Sequence, residues 1–286
     1  MLRTRVAARR LRWAHNNPAA LAAVTLQPRR HASVVRHNTV EDYVTSRFGC
    51  GAEEAAKFEK GNSGRASSVD RATDSCDKLQ QRLDLSEAEL KKIVLKTPSA
   101  LHFSYEANIE PKLALLQRRL DLSEAELKKI VLGHSPLLGY GYDTNIEPSL
   151  AALQRRLDLS EMELKKIVLG LPSVLSYSYE KNLEPKLAFL QEELQFSKEM
   201  LRETIVNNPS LLGYSLEKRY RPRVEQCREA DEPVQLVVER SSLTNEKFEK
   251  LLARRRLEKR NDARQRQRSE AVSGDVHRGD AVPVGR

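Results

Sequence analysis

Arg82, Arg119 and Arg156 stand 37 residues apart. Each sits on the flank of an apolar helical stripe, with no acidic residue within reach on its own helix. A guanidinium is planar, permanently charged and carries five donors, which suits a phosphate group. Lys112 lies two turns before Arg119 on the same flank. Helices stacked ~8–10 Å apart would let this column meet a strand rising ~3.4 Å per nucleotide about once every three nucleotides. The alternative is that each arginine pairs with acids of a neighbouring repeat. A second cationic group, Lys218, Arg219, Arg221 and Arg223, lies in EKRYRPR and outnumbers Glu217 and Glu225. Between the two groups the sign changes. Glu192 and Glu193 occupy the places of Arg118 and Arg119, an interruption that suits a protein partner.

A repeat must position these residues. LQQRLDLSEAELKKIVL at 79–95 recurs at 116–132 and 153–169 with few changes. Leu83, Leu120, Leu157 and Leu194, and likewise Pro111, Pro148, Pro185 and Pro222, keep the same interval of 37 residues. Such self-similarity predicts a stacked solenoid. In one unit a first helix opens at Asn108-Ile-Glu-Pro111, with Asn108 as cap, and buries Ile109, Leu113, Leu116 and Leu120. A second helix opens at Ser123, with Glu126 completing a capping box and Leu122 and Leu127 a staple; it buries Leu127, Ile130 and Val131. A short 3-10 turn and connector follow near Pro136. The expected fold is all-α: a curved α-solenoid of ~37-residue repeats, each two helices plus a 3-10 turn. Lys128 and Lys129 have Glu124 and Glu126 at helical spacing, so the lysines of the second helices read as a solvated, self-neutralised face; Arg118 likewise has Asp121. Three near-identical units cannot spell a varied base sequence, so backbone contact is expected over base readout.

The net charge of +9 comes from the ends. Residues 1–40 hold eight Arg and no acid, the composition of an organelle transit peptide, with mitochondrion favoured and plastid the alternative. The expected division is a presequence over 1–38, a linker over 39–70, the repeats over 71–256 and a basic disordered tail over 257–286. Cys50, Cys76 and Cys227 are too scattered for a zinc site or a disulfide framework. GNSGRAS lacks the lysine and spacing of a phosphate loop, there is no HExxH, and no apolar run approaches a membrane span. A non-enzymatic protein without cofactor, metal or membrane partner is therefore expected.

The ordered motifs LDLSEAELKKIVLKTPSALHFSYEANIEPKLALLQ, SLEKRYRPR and LTNEKFEKLL cover about 71–253. They resemble the repeat and C-terminal pattern of the mitochondrial transcription termination factor (mTERF) family. The resemblance implies organelle location and binding of double-stranded nucleic acid, DNA favoured over RNA, along the concave surface. The implied role is transcription regulation, including termination. The alternative is a helical scaffold that brings a protein partner to organelle RNA, for processing or ribosome assembly.

Overall fold

The structure is a computed structural model that describes residues 38–62 and 68–276, with side chains to 268. Among these residues there are helices and turns but no strand. Thirteen α-helices follow in order: α1 (Val40–Phe48), α2 (Ala52–Asn62), α3 (Val69–Leu83), α4 (Glu87–Lys96), α5 (Glu110–Arg119), α6 (Glu124–Gly133), α7 (Glu147–Leu157), α8 (Glu161–Gly170), α9 (Glu184–Leu194), α10 (Lys198–Asn207), α11 (Arg221–Glu229), α12 (Leu236–Glu239) and α13 (Asn245–Val276). Odd-numbered α1–α11 are first helices of their units and α2–α10 second helices. Short 3-10 turns at Pro98–His102, Ser135–Gly139, Pro172–Ser176 and Pro209–Gly213 form a third rank, each packed on the next. The chain is a helical-repeat solenoid.

Local chemistry explains each unit. Ser86, Ser123 and Ser160 close the three capping boxes with Glu89, Glu126 and Glu163. Ser197 caps α10 without a box, because Met200 stands where Glu would be. The first helices begin earlier than Asn108 predicts. Ser104 is the cap, and a wide turn over Tyr105–Ile109 follows, with Glu110 N–H reaching back five residues to Tyr105 O. Pro111 explains the width: it lacks the N–H of a normal turn, and its ring crowds the carbonyl four residues back. First helices end on a left-handed residue, Asp84 (φ 48°), Asp121 (φ 47°), Asp158 (φ 54°) and Gln195 (φ 53°); Asp tolerates that region better than most side chains. Ile109, Leu113, Leu116 and Leu120 are buried, as are Leu127, Ile130 and Val131, so both stripes face the core that neighbouring units share.

Two boundaries differ from expectation. Residues 39–62 are not a linker: α1 and α2 bury Val40, Tyr43, Val44 and Phe58 in the common core and form a degenerate unit ahead of the four regular ones. The tail is not disordered from 257, since α13 runs on to Val276. Its polar composition suggested disorder, but Arg, Ala, Gln and Glu are also good helix formers. The residues read as a presequence, up to 37, lie outside the described residues.

Close packing between units is visible at three glycines. A Cβ on Gly61, Gly133 or Gly170 would meet the ring of Pro98 at 3.0 Å, Pro172 at 3.1 Å or Pro209 at 2.9 Å. One period before Gly133 and Pro172 the sequence has Lys96 and Ser135 instead, and the Lys96 ammonium reaches Gly133 O. The small residue thus goes with the proline. Gly170→Ala should lower the urea midpoint, its strain of about 1–3 kcal/mol exceeding a propensity gain of up to about 1 kcal/mol.

Candidate nucleic-acid interface

The arginines of the 37-residue column are not unpaired. Arg119 Nε donates to Glu147 at 3.1 Å, Nη1 to Glu161 at 2.5 Å and Nη2 to Gln154 at 2.6 Å, all in the next unit. Arg82 holds Glu110, Glu124 and Gln117 in the same way. Arg156 holds Glu184 and Gln191; the third partner is missing because Lys198 stands where the others find Glu. Arg47 of α1 meets Gln80 and Glu87, which correspond to Gln117 and Glu124. At the fifth rung the sign reverses: Glu193 accepts from Arg228. Tyr105, Tyr142 and Tyr179 donate to Glu110, Glu147 and Glu184, fixing the carboxylates that receive Arg82, Arg119 and Arg156. Burial works against the Arg82 and Arg119 charges, and the facing carboxylates outweigh it, so both pKa values are raised.

A second ladder runs the other way. Lys128 Nζ reaches back to Glu89 at 2.9 Å and to Asp84 O at 2.6 Å; Lys165 does the same with Glu126 and Asp121 O, and Arg202 with Glu163. The capping-box glutamate therefore has two roles, capping its own helix and receiving the next unit's cation. The pairing within the helix expected for Lys128 and Lys129 is displaced by these contacts. Lys165 and the Ser123 backbone N–H hold Glu126 down to about 2; Arg202 and the Ser160 backbone N–H do the same for Glu163.

Of the remaining predicted cations, Lys112 is buried, its Nζ on Leu138 O and 5.8 Å from the Phe103 ring centre. Burial lowers its pKa to about 8. Lys186 and Arg223 stand at equivalent positions and clamp Leu212 O, and Arg240 O and Leu243 O. Lys112 and Arg223 thus hold the chain of the following turn and present no charge to solvent. Arg219 stacks on Tyr214 and donates to Ser241 O. Arg221 is exposed, paired with Glu217 and set over Phe189. Lys218 is exposed with its side chain free of partners.

The cations left over lie elsewhere. Lys92 and Lys129 are exposed and meet no acid, and Lys166 meets only the Asn207 amide at 3.1 Å. These three recur every 37 residues along α4, α6 and α8. Arg118 and Arg155, on α5 and α7, are exposed and unpaired too. Arg118 and Lys166 line one groove of about 650 Å³ between α5 and α8, with Met162 and Leu169 beside them. Both columns turn acidic at the fourth unit, as exposed Glu192 and Glu203.

The profile of the mTERF family matches residues 73–248, well over half of the chain. The chain belongs to the mTERF family. A search of curated proteins returns no match. Proteins of this family bind nucleic acid, regulate gene expression in mitochondria or plastids, and are not generally enzymes. No helix among the described residues is long and apolar enough to cross a membrane.

Two outcomes test the ladders. Arg119→Met keeps the apolar stem and should cost about 1–2 kcal/mol in urea unfolding; an unchanged stability would mean the rung is electrostatically idle. Glu126 and Glu163 have folded pKa values below their unfolded ones, so their contribution is complete above about pH 4.5 and is lost as pH falls toward about 2. The double variant Glu126→Gln, Glu163→Gln should therefore show a flatter acid limb of stability than the parent.

Proposed function

We propose that this protein binds the backbone of double-stranded nucleic acid in the mitochondrion, with DNA the preferred duplex, and regulates transcription there, including its termination. The observation that carries the reading is the pair of columns left after the two ladders are satisfied, Lys92, Lys129 and Lys166 beside Arg118 and Arg155. Cations without acidic partners at a fixed interval suit a uniform phosphate backbone and carry no base code. Lys218 and Arg221 extend the exposed charge at the C-terminal end. The arginine-rich, acid-free residues 1–38 support the mitochondrial address. A second reading, a scaffold for a protein partner, is favoured by Glu192 and Glu203, which make the fourth unit acidic where the others are basic.

Binding measured by fluorescence anisotropy over a salt series, with a random DNA duplex, an RNA duplex and a single strand, tests this. The variant Lys92→Gln, Lys129→Gln, Lys166→Gln should weaken duplex binding and lower the salt slope by up to about 3 units. A slope equal to that of the parent would remove the column from the interface. Parent protein that binds no duplex at low salt would leave the scaffold reading.

A further inference from the structure

The last helix is anchored at its root and free beyond it. Glu232, its side chain only 2% exposed, accepts from Arg255 at 2.6 Å and pairs with Lys259 Nζ at 3.1 Å. Arg256 donates to Glu229 O, and Lys259 also reaches Asp231 O. Phe248 and Leu252 bury the same side of α13. These contacts fix the direction in which the helix leaves the solenoid. From Arg260 to Arg268 every side chain is exposed.

Arg260, Arg264 and Arg268 follow at four-residue intervals. At ~100° per residue their stripe is centred roughly 150° from the side carrying Phe248, Leu252, Arg255 and Lys259, so it faces away from the solenoid. None of the three has an ion pair or hydrogen bond. Like charges at this spacing repel and weaken a free helix, and no acid stands three or four residues from any of the three to offset them. An anion array would. The three guanidiniums span about 12 Å along the helix, the rise of roughly three to four nucleotides of one strand.

We propose that α13 beyond Lys259 is a second phosphate-binding element, with Arg260, Arg264 and Arg268 contacting the backbone of the same duplex class that the repeat columns contact. This rests on the reading of the repeats as a duplex-binding surface. The acidic fourth unit, with Glu192 and Glu203, then separates two positive contact regions.

The test uses the full chain carrying Arg260→Gln, Arg264→Gln and Arg268→Gln, since Gln keeps helix propensity. With a random DNA duplex the salt slope should fall by up to about 3 units and affinity by tenfold or more at low salt. Lys at the same three positions should restore the slope. A charge-matched control, Lys181→Gln, Lys198→Gln and Lys247→Gln, removes three exposed cations elsewhere and should change it less. An unchanged slope in the arginine variant, or equal losses in variant and control, would overturn the assignment to α13. The repeat reading fails separately: there the column variant at Lys92, Lys129 and Lys166 binds like the parent, whatever α13 does.

Discussion

The rung formed by one arginine and the carboxylates of the next unit is the contact on which the solenoid's regularity depends. Each unit buries two apolar stripes against its neighbours, and apolar packing is strong but tolerant of sliding. A planar guanidinium held by Glu147, Glu161 and Gln154 at once tolerates little sliding. Arg119 therefore sets how unit follows unit, and Arg47, Arg82 and Arg156 repeat the instruction. The lysine ladder through Lys128 and Lys165 adds a second constraint on the neighbouring rank of helices. Two ladders on different ranks resist both translation and twist.

The same arrangement decides which charges are free for a ligand. Each copied unit is rich in both signs, yet Glu110, Glu124 and Glu126, and likewise Glu147, Glu161 and Glu163, already hold a cation from a neighbour. Glu124 and Glu161 take arginines from the preceding unit, and Glu89 and Glu126 take lysines from the following one. A nearly neutral domain can then present columns of positive charge, because these carboxylates are answered internally while Lys129 and Arg118 are not. Net charge is silent about this; only the pairing shows it.

The sequence revealed the interval of 37 residues, the capping boxes and both buried stripes, since each rests on local spacing that survives any packing. Pairing between units was out of reach of helical wheels. The wheel placed Arg119 beside no acid of its own helix, which is true, but its partners lie 28 to 42 residues on. Lys112 was misjudged for a related reason. A lysine on the flank of a stripe looks solvated until the following turn folds over it and offers Leu138 O. The degenerate leading unit was hidden by the stretch GNSGRASS at 61–68, which made its surroundings read as a linker, while its rung, Arg47, carried no visible spacing to the others.

Sequence identity among the units has a physical limit that this chain displays. Where the copies agree, their rungs agree. Where they diverge, a rung is either thinned, as Lys198 deprives Arg156 of a third contact, or its partners change together, as Glu193 and Arg228 do with the sign reversed. Lys96 and Ser135, where later units have a glycine and a proline such as Gly170 and Pro209, follow the same logic in volume rather than charge. A substitution in one unit is therefore a demand on the next, and compensation appears one period away. The exposed columns face no such demand. Lys129 and Arg118 touch no neighbouring acid, so packing does not fix the sign they carry. The joint change to Glu192 and Glu203 in the fourth unit is one that the solenoid's interior accepts, since either sign leaves its packing and its rungs untouched.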